Sequence, residues 1–161
     1  MIVAAIVAIL AVAAIPRFRQ TSDRLRAEQT AATLAQWLRI AHEVSVAESR
    51  EILWMWDPEL RRPRVFEPVL SQDTTPTLQW RERPLGSRAP LAMGTIVDAA
   101  YGQEPRGCPD SSPAQAVCLH FFPDGTSEAA VLTVSLAASR YLVTVDGSTS
   151  QVLLRAGPLA H

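Results

Sequence analysis

Cys108 and Cys118 are the only cysteines in the chain, and His120 follows two positions after the second. In a strand, that spacing puts Cys118 and His120 on one face. The two thiols suit a disulfide, with two separate reduced thiols as the alternative. A zinc centre needs three or four ligands, and only His120 stands near the cysteines, so no metal is expected. His42 falls in a helical stretch and His161 is the last residue, and no histidine has a sequence context that suggests a nucleophile or an orienting carboxylate. Asp110-Ser111-Ser112 and Asp146-Gly147-Ser148 set hydroxyls beside carboxylates, but no nucleophile elbow, P-loop or dinucleotide fingerprint surrounds them. Turn chemistry accounts for them. No cofactor and no catalytic centre are expected, and the chain reads as a non-enzyme. A membrane-tethered enzyme stays as a third reading, motivated only by the long loop of residues 99–115.

Trp54, Trp56 and Trp80 could form an aromatic platform for single-stranded nucleic acid, with Arg61, Arg62, Arg64, Arg81 and Arg83 on its phosphates. Against this, Trp54 and Trp56 share a parity and so face one side of a strand. Asp57, Glu59 and Glu82 also interleave with the arginines. Arg61, Arg62 and Arg64 remain the candidate nucleic-acid contacts.

The elements that must carry these residues begin with composition. The chain has 161 residues, 15 basic against 16 acidic, and every basic side chain is Arg. Near-zero net charge gives no global field to recruit nucleic acid or an anionic membrane. The length suits one head domain plus a helix.

Met1 to Ile15 contains no polar side chain, with Ile2, Val3, Ile6, Val7, Ile9, Leu10, Val12 and Ile15 its bulky members, and Pro16-Arg17-Phe18-Arg19 follows. Fifteen residues of helix cover roughly 22 Å, whereas a bilayer core is about 30 Å and takes roughly 20 apolar residues. The run is short as a span. No basic n-region precedes it, so it fits a secretory signal poorly. Beyond Pro16 the pattern turns amphipathic: Leu34, Trp37, Leu38, Ala41 and Val44 recur at spacings of three and four. One long helix to about Arg50 is predicted, with Pro16, where an i to i−4 hydrogen bond is lost, as the place for a bend.

After Arg50 short apolar runs alternate with Pro and Gly. Residues 52–56, 64–67, 77–81 and 91–97 read as strands, 71–76 as an exposed loop, and 99–115 as the longest loop. The clearest strand signals are 116–122, 130–136, 141–145 and 151–155. Pro123-Asp124-Gly125 and Asp146-Gly147 offer the positive φ angles of tight turns and predict two antiparallel hairpins. The alternation of Tyr141, Val143 and Val145 marks one buried face.

The apolar helix ending in Pro16 resembles the N-terminal helix of type IV pilin-like proteins. Phe121-Phe122-Pro123-Asp124-Gly125-Thr126-Ser127, followed by an apolar strand and Tyr141 to Gly147, is similar to the C-terminal signature of one branch. That branch holds the minor pseudopilin H (GspH) of type II secretion and the FimT-like minor pilins. The resemblance covers most of the chain, weakly over residues 57–115.

It implies an α+β fold: a long N-terminal helix, transmembrane in its first part, packed through the Leu34 to Val44 stripe on an antiparallel head of two small sheets. The parts would be residues 1–16 for the membrane, 17–50 for the amphipathic helix and 51–161 for a periplasmic β-rich head. Set on the family's helix proline, Pro16 implies that about six residues precede Met1, including the processing-site phenylalanine and a glutamate. With them the apolar segment reaches about 21 residues and satisfies the bilayer.

The function implied is that of a minor pseudopilin in the periplasmic pseudopilus of a type II secretion system. Its partners would be other pseudopilins or pilins, the inner membrane, and a prepilin peptidase acting, with methylation, on the full-length precursor. The location would be the bacterial inner membrane, single-pass, with the head in the periplasm. The alternative is a FimT-like minor pilin that binds DNA during uptake. In an extracytoplasmic compartment the Cys108–Cys118 bridge is the natural state.

Overall fold

The computed structural model describes the backbone of residues 2–71, 77–84 and 91–158, and the side chains among these from residue 21 onward. The expected 71–76 loop, apart from Ser71, and His161 lie outside the described residues, as do the side chains of Ile2 to Pro16.

Helix α1 runs without interruption from Ile2 to Ala47, so Pro16 lies inside it. At about 1.5 Å per residue its 46 residues extend for roughly 69 Å. Ser49 ends it in a left-handed conformation, φ 51°, while Arg50 N donates to Ser45 O at 3.2 Å. This six-to-one bond satisfies one of the last helical carbonyls, the job glycine usually does at this position. Among the described residues no helix is long and apolar enough to cross a membrane; the side chains of the apolar run stand outside that set.

Eight strands follow: β1 (Ile52–Asp57), β2 (Arg62–Leu70), β3 (Leu78–Arg83), β4 (Ile96–Tyr101), β5 (Val117–Phe121), β6 (Ala130–Leu136), β7 (Ser139–Val145) and β8 (Val152–Ala156). They form two four-stranded sheets, ordered β3-β2-β1-β5 and β4-β6-β7-β8, and every pair is antiparallel. The architecture is the α+β one predicted.

Parity along β1 divides the head into two cores. Ile52, Trp54 and Trp56 join Leu119 and Phe121, the inward residues of β6 and β7, and the helix. Leu53 and Met55 point the other way, toward Phe66 and Cys118, with Trp80 and Cys108 packed beside them. Strand β1 is therefore buried along its whole length, as a strand covered on both faces must be. Tyr141, Val143 and Val145 are all buried.

Several expectations shift. The strand read at 91–97 begins only at Ile96 and runs to Tyr101, because Gly94 at φ 80° and the Thr95 N to Ala92 O bond turn the chain first. The Pro123-Asp124-Gly125 turn is tight, with Gly125 at φ 86°, yet it joins no hairpin of one sheet. After a single Phe121–Ser127 bridge the chain passes from β5 in the first sheet to β6 in the second. The Asp146-Gly147 turn does join β7 to β8, but its left-handed residue is Ser150, φ 51°. Gly147 is needed for space: a Cβ there would stand 3.1 Å from both Ala129 Cβ and Ser127 O. The β6–β7 hairpin closes on Ala137 and Ala138, with Ala137 at φ 52°, and alanine gives no turn signal to read.

Candidate functional site

The side chains that could have done chemistry resolve into fasteners. Cys108 and Cys118 form a disulfide, Cα atoms 5.4 Å apart. It straps the segment after β4 onto the outer face of the first sheet, over Leu53, Met55 and Phe66. His120 sits beside it, buried, with Nδ1 2.7 Å from Glu51 Oε1 and Nε2 3.1 Å from the Gly107 carbonyl. A His–carboxylate pair could suggest a general base, but here both ring nitrogens are engaged and the ring stands edge-on to Trp80 at 5.6 Å. Arg106 completes the clamp. Its backbone N–H donates to Glu128 and its guanidinium to Glu51, while the guanidinium carbon stands 4.6 Å above the Phe122 ring. No group of three or more metal-ligating side chains occurs among the described residues.

The aromatic platform does not assemble. Trp54 and Trp56 are buried under the helix, and Trp80 belongs to the opposite face. Of the candidate phosphate contacts, Arg64 donates to Asp57 Oδ2 at 3.1 Å and to Glu82 Oε2 at 2.7 Å, and Arg62 lies 3.7 Å from Glu82. Arg61 occupies the left-handed corner between β1 and β2, φ 50°, a turn in which Asp57 Oδ1 accepts from the Glu59 and Leu60 amides. The acids that interleave with the arginines in sequence thus neutralise Arg62 and Arg64 in space.

A second ion-pair group ties the helix end to the first sheet. Glu67, largely buried, accepts from Arg50 and Arg81 and has Arg83 3.8 Å away; Arg83 also donates to Glu48 at 2.6 Å. The Arg81 hydrogen bond foremost, with the Arg50 and Arg83 charges, holds the Glu67 carboxyl below the ordinary carboxylate range. Glu48 is lowered likewise, chiefly by the Arg83 hydrogen bond.

The helix itself is seated on the head. Leu34, Leu38 and Ala41 are fully buried, and Trp37 and Val44 are partly buried against the same core. Sequence reading missed the small residues that complete the stripe: Ala27, Thr30, Ala31, Ala35 and Ser45 are buried too. Their spacing of three and four was visible, but alanine and serine carry little apolar weight. Small side chains let the helix axis approach the sheets closely, and Arg39 bonds the Val152 carbonyl of β8 across the contact at 2.9 Å. Among the described side chains the first fully buried one on the helix is Ala27, while Leu25 and Val46 are exposed.

No protein-family profile matches the chain, and no curated protein matches it. Solved structures do. One, the minor pseudopilin EpsH from the type 2 secretion system of Vibrio cholerae, aligns at TM-score 0.57 and 17% identity over 81% of this chain and 97% of that one. A crystal structure of the EpsH minor pseudopilin from the same system and organism aligns at TM-score 0.54 and 18% identity over 86% of this chain and 97% of that one. The long N-terminal helix seated on two four-stranded antiparallel sheets is a fold that this chain shares with these two minor pseudopilin structures.

Proposed function

We propose that the chain is a minor pseudopilin, a structural subunit of the periplasmic pseudopilus of a type II protein secretion system. The observation that carries the reading is the unbroken helix from Ile2 to Ala47, of which the part from Ala27 onward is seated on the head. A helix built this way serves two partners. Its later turns belong to its own head, and its earlier residues, Ile2 to Ile15, include no polar side chain.

In this reading the apolar run holds the subunit in the inner membrane with the head in the periplasm, and on assembly it packs among the helices of other pseudopilins. Lipid and a helical bundle are interchangeable surroundings for such a surface, since both satisfy apolar side chains and neither competes for the backbone bonds. No bond is made or broken by the protein. A prepilin peptidase acts on the precursor.

Photo-crosslinking in cells from Leu25, on the exposed helix face, tests the proposal. Crosslinks to other helix-led subunits are expected, together with retention in carbonate-washed membranes. A chain recovered wholly in the soluble fraction, without such crosslinks, refutes it.

A further inference from the structure

Strands β4 and β5 are edge strands of different sheets, and a groove of about 520 Å³ between β4 and the start of β5 is lined by Trp56, Pro58, Ile96, Val97, Ala99 and Val117 among others. The two edges differ. On β5 the outward backbone groups are already used. The Tyr101 hydroxyl donates to Cys118 O at 2.8 Å and accepts from Cys118 N at 3.3 Å. His120 N donates to the Glu128 carboxylate at 3.0 Å and His120 O accepts from Glu128 N.

On β4 the outward groups face the groove. Gly102 N donates to Ala129 O, and antiparallel pairing alternates from there. Ile96, Asp98 and Ala100 therefore exchange bonds with β6, while Val97, Ala99 and Tyr101 turn N–H and C=O away from it. Among the described residues no strand lies on that edge. An open edge with a row of free donors and acceptors is a template for another strand.

Ile96, a large apolar side chain that lines the groove, is 59% exposed. Asp98 is the one charged residue among those lining the groove.

We propose that this groove is a docking site for an extended segment of a partner protein, which adds along β4 as a fifth strand of the second sheet. This main-chain array, without a partner among the described residues, selects an extended backbone. The apolar floor and rim select apolar side chains at alternate positions, and Asp98 favours a basic residue over an acidic one. This is strand addition, in which main-chain bonds supply affinity and pockets for alternate side chains supply choice. It does not depend on the fibre assignment.

The test uses the full chain and a capped pentapeptide, acetyl-Val-Arg-Val-Thr-Val-amide, against the same peptide N-methylated throughout. The first should slow amide exchange at Val97, Ala99 and Tyr101 at least about tenfold, and the second should bind at least about tenfold more weakly. Ala99→Pro removes one outward donor and no bond to β6, as an edge strand tolerates. It should weaken the peptide by a similar factor with thermal unfolding little changed. If that variant fails to fold, the comparison of the two peptides on the natural chain decides. The proposal is overturned by equal binding of the N-methylated peptide, by protection along β3 or β8 instead, or by no binding up to about 1 mM. Protection that grows with protein concentration alone also overturns it, in favour of a second copy.

Discussion

Removing the disulfide by the paired change Cys108→Ala and Cys118→Ala gives the most quantitative check on how the head is held. The bridge closes a loop with a sequence separation of 10. In the chain-entropy account, such a loop deprives the unfolded state of about 9 cal/mol/K, or about 2.7 kcal/mol at 25 °C. The native strap should survive the change, because the His120–Gly107 contact, the Arg106–Glu128 and Arg106–Glu51 bonds and the Arg106–Phe122 stack all remain. The cost then falls mainly on the unfolded ensemble. With a urea slope of about 2 kcal/mol/M, the midpoint should drop by about 1.4 M, and the thermal midpoint by roughly 10 °C for a domain of this size. Urea unfolding followed by tryptophan fluorescence reads it, with and without dithiothreitol. Reductant should reproduce the loss in the natural chain and leave the variant unmoved. A loss under about 0.5 kcal/mol, or a variant still sensitive to reductant, refutes the reasoning.

Leu38, fully buried between helix and sheets, should cost about 2–5 kcal/mol on Leu38→Ala, measured by urea denaturation. Gly147→Ala sets a methyl against Ala129 and the Ser127 carbonyl; a loss of about 1–3 kcal/mol is expected, and an unchanged thermal midpoint would contradict it. Glu67 and Glu48 have carboxyls held below the ordinary value of 4.5 by arginine partners. Because the folded-state value is the depressed one, their contribution is complete above about pH 4.5 and fades as pH falls through the folded value. Stability measured against pH should show an acid limb that flattens in Glu67→Gln, and an identical limb in the variant would remove Glu67 as its source. Leu34→Asp should release the helix from the head and leave the chain largely unfolded by circular dichroism, since an unpaired carboxylate would be buried there.

Strong periodicity explains what could be read in advance. Leu34, Leu38 and Ala41 lie at a spacing only a helix brings to one face, and Tyr141, Val143 and Val145 at one only a strand does. The first stretch fixed the packed face of the helix and the second a buried face of the second sheet. Turns were harder. Gly125 announces its own corner, but Ala137 and Ser150 adopt left-handed backbones with no residue-type signal, because the strands they join impose the geometry. The segment after β4 looked structureless. Its order comes from Cys118, Glu51 and Glu128, partners distant along the chain.

The charged residues carry the same lesson. Arg62 and Arg64 were candidate nucleic-acid contacts with acids interleaved in sequence, and antiparallel pairing of β2 with β3 sets them beside Glu82. His120 beside Glu51 has a catalytic look on distance alone, but the fold buries its ring and sets the Gly107 carbonyl against its far nitrogen.

Local pattern alone determined that a long apolar-led helix would precede a β-rich head, because hydrophobic period and backbone geometry act within a few residues of one another. Which edge of which sheet stays open, which arginines are neutralised, and where the disulfide strap lies were decided only by the tertiary structure. Those properties depend on groups far apart in sequence and near in space, where a hydrogen bond or ion pair exists only once both partners have been brought together.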